Sequence, residues 1–184
     1  MKTTYTISIF TEDQIGLLNR ITIIFTRRHI NIESITASEI EIKGIYRYTI
    51  VVTVTLDQVQ KLVKQIEKQV EVLKAFYHVI PEIISREIAL YKLSADAFKE
   101  NELFMKIINE QHAKILSMSP EFVVVEKTGN EKEIQQLFQD LERFGMLEFV
   151  RSGMVAVTKP MRTLTSYLKE LENNNNTIIK HFNN

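Results

Sequence analysis

Cysteine is absent from this 184-residue chain, and glycine and proline are scarce, at five and three residues. Without cysteine there is no disulfide, no thiolate metal site and no cysteine nucleophile, a composition that suits a reducing compartment. The five glycines form neither a GxGxxG pattern nor a phosphate-binding loop, and no serine lies in a GxSxG turn. The sequence therefore lacks the recognised motifs of nucleotide binding and of nucleophilic hydrolysis.

An excess of charge of either sign is also missing, because Lys+Arg and Asp+Glu both number 23. A balanced chain does not attract nucleic acid or anionic lipid through its overall charge, so we expect neither as a partner. No segment approaches the roughly 20 apolar residues of a membrane helix, and the N-terminal MKTTYTISIF alternates instead of forming a signal-peptide core. We predict a soluble, cytoplasmic protein.

The histidines give no sign of a metal centre. Each of the four is alone in its local element, without an HExxH pattern or a neighbouring carboxylate cluster: His29, His78, His112 and His181. We therefore predict no metal site and no catalytic residue.

Hydrophobic periodicity predicts two similar halves. In the first half it predicts a strand over 4–10, a helix over 16–28, strands over 31–42 and 45–55, a helix carrying Val59 to Val70, and a strand over 72–78. Lys43-Gly44 supplies the tight turn between the paired strands. The second half repeats this order, with strands over 87–93, 113–127 (broken at Ser119-Pro120) and 146–157, and helices around 103–108 and 134–141.

A βαββαβ order places two helices on one face of a four-stranded antiparallel sheet. The predicted fold is α+β, with two tandem ferredoxin-like domains over 1–79 and 86–159 and a linker over 80–85 that contains Pro81. The final segment, 160–184, is predicted to be a short amphipathic helix followed by a polar tail. Its apolar stripe consists of Leu164, Tyr167, Leu168 and Leu171.

The most informative loop joins the first strand to the first helix. Gly16 lets a ligand approach the backbone closely, and free amides at a helix start favour a carboxylate. Asp13 or Asn31 can accept the ammonium group of an amino acid, while Ile15, Leu17 and Ile32 can line an aliphatic pocket. In the simpler alternative Asp13 only caps the helix and Gly16 only permits the turn, and spacing alone favours that alternative.

Two motifs in this chain resemble those of one known family. Asp13-x-x-Gly16-Leu17-Leu18, followed by Phe25-x-x-Arg28-x-Ile30-Asn31-Ile32-Glu33-Ser34, is similar to the signature of an ACT domain, an amino-acid-sensing module. That run, with 86–92, 144–148 and 150–157 in the second half, resembles the small regulatory subunit of acetolactate synthase (acetohydroxyacid synthase). The resemblance covers roughly residues 4–158.

The resemblance implies a non-catalytic subunit that activates a large catalytic subunit and transmits feedback inhibition by valine or another branched-chain amino acid. It implies a homodimer of joined ACT sheets, with the effector between one chain's loop and the other chain's second strand. Thiamine diphosphate, Mg²⁺ and FAD then belong to the catalytic partner. The implied effector site comprises Asp13, Gln14, Ile15, Gly16, Leu17, Asn31 and Ile32. Asp13 departs from the asparagine of valine-sensing members, which leaves the identity of the effector open.

Three further alternatives stay open from the sequence. Arg151-Ser152 either contacts the catalytic subunit or forms an ordinary ion pair at a strand end, which is the commoner case. The whole chain can instead be a free-standing amino-acid sensor that regulates a different enzyme. A small ferredoxin-like enzyme is the third alternative, and no pair of titratable residues supports it.

Overall fold

The computed structural model describes residues 1–159, of which 98–101 are described by their backbone alone. These residues form two compact units, 1–84 with 157–159, and 85–156. Each unit is an antiparallel sheet with two α-helices, so the α+β ferredoxin-like prediction is confirmed. Within residues 1–159, no helix is both long and apolar enough to span a membrane.

The first unit is a four-stranded sheet with strand order β2-β3-β1-β4. Its central strand β1 pairs antiparallel with both neighbours, so that Ile7 lies opposite Ile50 and Tyr77. Gly44, at φ 80°, makes the predicted turn between β2 and β3. The elements are β1 (Thr3–Glu12), α1 (Leu17–Arg27), β2 (Ser34–Glu39), β3 (Ile45–Val54), α2 (Leu56–Ile66) and β4 (Val72–Val79).

Both helices of this unit pack their apolar stripes on the same face of the sheet. The shared core contains Ile7, Ile9, Ile50 and Val52 from the strands, with Leu17, Ile21, Ile24 and Phe25 from α1 and Val59, Leu62, Val63 and Ile66 from α2. Thr55 and Gln58 form a capping box at the start of α2. The predicted extension of α2 to Val70 is wrong, because the chain leaves the helix after Ile66 to bury Val72 in β4, and Val70 is exposed.

The second unit repeats this arrangement with its own core. Its sheet has the order β6-β7-β5-β8, and β9 pairs with β5. Tyr91, Leu93, Phe104, Val123, Val125, Ile134, Leu137 and Leu141 are buried in the core. The elements are β5 (Ile83–Ser94), a 3₁₀ turn (Ala95–Glu100), α3 (Asn101–Glu110), β6 (Lys114–Met118), β7 (Phe122–Gly129), α4 (Glu131–Glu142), β8 (Met146–Arg151) and β9 (Val155–Thr158).

Three boundaries differ from the sequence-based expectations. The closing segment 146–157 is two strands rather than one, because residues 152–154 leave the sheet. Strand β5 begins at Ile83, inside the segment expected to be a linker, and Ile80–Glu82 form a 3₁₀ turn. Residues 157–159, which include the last two residues of β9, belong to the first unit, where Lys159 N–H donates to the carbonyl of Glu82 at 2.9 Å. The predicted C-terminal helix and tail, 160–184, lie outside the described residues.

The first helix of each unit ends in the same way, at a histidine with left-handed backbone. His29 has φ 53° and His112 has φ 51°. The next amide donates back by five residues in both cases, from Ile30 to Phe25 and from Ala113 to Ile108. This is a Schellman turn, whose left-handed position glycine normally occupies because a Cβ atom is strained there.

We expect His29→Gly and His112→Gly each to raise the free energy of unfolding by about 0.5–1 kcal/mol, because relief of about 1–2 kcal/mol of left-handed strain outweighs the greater entropy that glycine loses on folding. Urea unfolding monitored by circular dichroism measures the change. The control variants His29→Ala and His112→Ala keep the Cβ atom and should bring no gain. If alanine stabilises as much as glycine, the left-handed backbone is not the cause.

Candidate functional site

The loop between β1 and α1 is fixed to the rest of the first unit by backbone hydrogen bonds. Glu12 N–H donates to the carbonyl of Glu71, and Asp13 N–H donates to the carbonyl of Gly44, both at 3.0 Å. An ion pair of 2.7 Å between Arg20 and Glu71 holds the first turns of α1 on the same side. The loop is therefore a preformed feature, held between the start of β4 and the turn that joins β2 to β3.

Gly16 is the N-cap residue of α1 and has a left-handed backbone, with φ 82° and ψ −1°. A Cβ atom built on Gly16 would meet nothing within 4 Å, so the space in front of this backbone is open. No side chain caps the helix. The simpler alternative, in which Asp13 serves as the helix cap, is therefore wrong.

Because the cap is missing, the first turn of α1 has free donors. Leu17 N–H donates to the carbonyl of Gln14 at 3.2 Å, and Arg20 N–H donates to that of Gly16. Within the described residues, no group accepts a hydrogen bond from the amides of Leu18 and Asn19. Free amides at the positive end of a helix dipole are suited to bind a carboxylate.

Asp13 is exposed beside this helix start. Its carboxylate lies near the phenol of Tyr48, whose pKa is raised first by burial and then by the negative charge of Asp13. Within residues 1–159, no ion pair joins Asp13 to a basic side chain. A solvent-facing carboxylate next to free amides can hold the ammonium group of an amino acid whose carboxylate meets the amides.

The apolar residues expected to line a pocket divide into three different environments. Ile15 is fully exposed, and Ile32 is partly buried against the first core. Leu17 is completely buried in that core, so its side chain does not line an open pocket. Leu17 was expected in the site because it is the first residue of α1 and lies next to the loop. It also begins the apolar stripe of α1, and that stripe faces the core.

The two halves of the expected site do not meet within one chain. Asn31 is exposed before β2, where Glu33 N–H donates to the carbonyl of Val51, whereas the loop follows Glu12, which pairs with Ile45 at the opposite end of β3. Gln14 is exposed in the loop. The single chain therefore brings together Asp13, Gln14, Ile15 and Gly16, but not Asn31.

Strand β2 is an edge strand of the first sheet, and the first unit also exposes apolar side chains on β2 and on α1. Ile35 on β2 has 37% of its surface exposed, and Leu18 and Ile23 on α1 are exposed to a similar extent. An open strand edge that carries an exposed apolar side chain such as Ile35 is suited to pair with another chain.

Sequence reasoning missed two features of this loop. The amides of Leu18 and Asn19 become available only because Gly16, and not Asp13, is the cap, which the spacing alone does not reveal. The carbonyl of Gly44 fixes Asp13, although the sequence indicated only a hairpin turn there. The sequence did contain one sign of the uncapped helix start: Gly16 follows Asp13 by three residues and can adopt the left-handed backbone that makes it the N-cap.

In the second unit, Arg151 takes part in a local ion-pair network. Its guanidinium lies 3.4 Å from Glu87 and 3.3 Å from Glu131. Ser152 N–H donates to the carbonyl of Ile88, and the amide of Ile88 donates to Ser152 Oγ. These contacts agree with the structural alternative for Arg151-Ser152, since both side chains hold β8 to the rest of their own unit.

Glu87 gives this network a pH dependence that can be measured. Burial raises the pKa of the Glu87 carboxyl above its ordinary value of 4.5, and the charge of Arg151 opposes the shift without cancelling it. The folded state thus binds the proton more tightly, so this group's contribution to stability falls as pH rises from 4.5 through the folded pKa. We expect Glu87→Gln to become increasingly stable relative to the unchanged protein across that range, in urea unfolding at several pH values. Glu142→Gln, at an exposed helix end, should show no such trend.

Within residues 1–159, no group of three or more histidine, aspartate or glutamate residues is placed to hold a metal ion. The groups that the loop offers to a ligand are backbone amides and the carboxylate of Asp13.

Comparison with protein families gives two matches in chain order. Residues 7–74 match the model of the acetohydroxyacid synthase small subunit-like ACT domain, and residues 86–160 match that of the small subunit of acetolactate synthase. A relative named acetolactate synthase small subunit, from Mycobacterium bovis, is 36% identical over 159 residues, covering 86% of this chain and 94% of the relative. The chain belongs to the acetolactate synthase small-subunit family.

Other members of the family support the same assignment. The Bacillus subtilis acetolactate synthase small subunit is 36% identical over 154 residues, covering 83% of this chain and 89% of the relative. The crystal structure of the small subunit from Thermotoga maritima superposes with a TM-score of 0.77 at 27% identity, covering 85% of this chain and 97% of that one. The predicted family, its ACT domain and the ferredoxin-like fold are thus confirmed.

Proposed function

We propose that this acetolactate synthase small subunit activates a large catalytic subunit and makes it sensitive to feedback inhibition by a branched-chain amino acid. The observation that carries the proposal is the uncapped start of α1 beside the carboxylate of Asp13. This pair of features matches the two charged groups of an amino acid, with amides for the carboxylate and Asp13 for the ammonium.

The apolar side of the site supports an aliphatic effector. Ile15 is fully exposed in the loop, and Ile32 is only partly buried. A branched side chain that covers them would remove apolar surface from water, which is favourable by roughly 25 cal/mol per Å². Valine, leucine and isoleucine all fit this description, and Asp13 in place of asparagine does not distinguish among them.

We propose further that the effector site is shared by two copies of the chain. Asp13 and Asn31 do not meet in one copy, whereas the open edge of β2 and exposed Ile35 are suited to join two sheets. Pairing of two β2 strands would bring the residues before β2 of one copy, Asn31 and Ile32, towards the loop of the other. An effector bound across such a boundary is coupled to the geometry of the dimer.

Regulation then follows from differential binding. An effector can shift the enzyme towards its inhibited state only by as much as it binds that state more tightly. A site built from two chains meets this requirement, because a change in the dimer changes the distance between its two halves. We assign thiamine diphosphate, Mg²⁺ and FAD to the catalytic subunit, and no catalytic residue to this chain.

The test is acetolactate formation by the cognate catalytic subunit, with and without this protein, over a titration of valine. We expect added small subunit to raise the rate and valine to reverse that gain. Activation that valine does not reverse would direct the titration to leucine and isoleucine and would contradict valine as the effector. Absence of any activation would contradict the proposal and favour a free-standing sensor of another enzyme.

A further inference from the structure

A groove with cationic walls, here called the basic groove, lies between the end of α1 and the exposed side of α2. Its volume is about 460 Å³, and only cationic and amide side chains line it: Arg28, Lys61, Lys64, Gln65, Lys68 and Gln69. Within the described residues, no carboxylate forms part of this lining. In a chain with 23 basic and 23 acidic residues, the groove is a strong local departure from charge balance.

The cations of the basic groove form a row. Lys61, Lys64 and Lys68 are spaced by three and four residues, which places them along one side of α2 and the turn that follows it. At 1.5 Å per residue this row is about 10 Å long. All three lysines are exposed, and Gln65 and Gln69 are half-buried between them. The groove therefore presents its positive charge to solvent along an extended line.

Most of this charge has no counter-charge in the described part of the chain. Lys61 forms an ion pair of 2.8 Å with Asp57, and the other two lysines of the row take part in no ion pair within residues 1–159. Arg28 donates through Nε to Gln65 Oε1 at 2.6 Å. This neutral acceptor orients the guanidinium without neutralising it. The guanidinium and two lysines are thus available to an anionic partner.

The chemistry of the basic groove distinguishes among possible occupants. A second copy that packed the same groove against it would bring like charges together, which costs several kcal/mol in an interface. Sites for small molecules enclose most of the ligand and are lined mainly by apolar side chains, and no apolar side chain lines this groove. An acidic surface of another protein matches an exposed row of cations in both sign and length.

The family assignment supplies such a partner, because a small subunit of acetolactate synthase acts together with a large catalytic subunit. The basic groove is separate from the loop 12–16, to which we assign the effector. The loop precedes α1 and Arg28 follows it, so the 11 residues of the helix, about 16 Å, lie between them. The groove also differs from the edge strand β2, to which we assign the second copy.

We propose that the basic groove binds an acidic surface of the large catalytic subunit. The inference rests on the proposed function for its choice of partner, and it adds the surface and the charge through which the two subunits meet. Complementary charge steers two proteins into contact and raises their association rate, an effect that salt weakens. The groove thus controls how tightly the subunits assemble, while the loop 12–16 controls the response to the effector.

Charge reversal in the full chain tests the contact. Lys64→Glu with Lys68→Glu should raise the dissociation constant for the purified catalytic subunit about tenfold or more at low salt, mainly through a slower association rate. Biolayer interferometry measures both quantities. The difference from the unchanged chain should shrink as KCl is raised to about 1 M, where the Debye length is about 3 Å.

Two further variants control for net charge and for folding. Lys106→Glu with Lys132→Glu makes the same change in net charge at exposed positions on α3 and α4, and it should leave the dissociation constant unchanged. Glutamate near the C-terminal end of α2 opposes the helix dipole. Lys64→Gln with Lys68→Gln therefore serves as a second groove variant without new negative charge, and a smaller rise in the dissociation constant is expected. At saturating small subunit, half-maximal inhibition by valine should be unchanged in every variant.

Three outcomes would overturn the inference. If both groove variants bind the catalytic subunit as tightly as the unchanged chain, the groove is not the contact, and the proposed function stands provided that activation and inhibition by valine persist. An equal loss of affinity in the variant of α3 and α4 would attribute the effect to net charge. Inorganic pyrophosphate that binds the unchanged chain but not the groove variants, with subunit association unaffected, would assign the groove to a small anion. An unchanged chain that neither binds nor activates the catalytic subunit would contradict the proposed function together with the inference.

Discussion

Replacing Gly16 with aspartate is expected to weaken feedback inhibition about tenfold or more while activation of the catalytic subunit survives. The new carboxylate would lie in the open space before the free amides of Leu18 and Asn19, where we place the effector carboxylate. Two like charges 4 Å apart repel by about 1 kcal/mol in water and about 4 kcal/mol near a protein surface. Affinity for the effector should therefore fall about tenfold or more.

The backbone at Gly16 requires matched controls. A side chain at φ 82° costs about 1 kcal/mol, and aspartate and asparagine tolerate this conformation better than most residues. Gly16→Asn has nearly the same shape as Gly16→Asp without the charge, and Gly16→Ala has only the strain. We expect half-maximal inhibition by valine to be shifted most by aspartate, less by asparagine and least by alanine. An unchanged concentration of valine for half-maximal inhibition in Gly16→Asp would contradict the site assignment.

Much of the fold followed from sequence periodicity because each core side chain occupies a regular position. The alternation Tyr5, Ile7, Ile9 and the stripe Leu17, Ile21, Ile24, Phe25 became β1 and α1 with these residues buried. Periodicity gave a wrong helix end where a turn in the chain interrupts an apolar pattern. Val70 continues the pattern of α2, but the turn into β4 places it in solvent.

The candidate site was less predictable, for a physical reason. Spacing identified the loop and Gly16, but it could not show whether Asp13 caps the helix, because that depends on backbone angles at Gly16. It assigned Leu17 to a pocket although a residue at a helix start can equally face the core. The burial of Thr6 and Ser8 was also not predictable, since polar residues that alternate with apolar ones normally indicate a solvent face.

The second large effect is expected at the edge of β2. Ile35→Lys should convert the proposed dimer into single chains and remove inhibition by valine. Ile35 lies on the edge strand β2, opposite Ile50 of β3, and is 37% exposed in the single chain. If two β2 edges join, the lysines introduced in the two copies would be buried near each other. Like charges brought together in an interface cost several kcal/mol, which corresponds to a dissociation constant raised about a hundredfold or more.

Sedimentation velocity over a range of concentrations measures the assembly state, and calorimetric titration with valine measures the shared site. Val70→Lys introduces the same charge at an exposed position after α2 and should leave both measurements unchanged. Urea unfolding should show that Ile35→Lys still folds, because Ile35 is not among the buried residues of the first core. A dimer that persists in Ile35→Lys would place the interface elsewhere. A single chain that still binds valine would mean that the loop 12–16 forms a complete effector site without the segment before β2 of a partner.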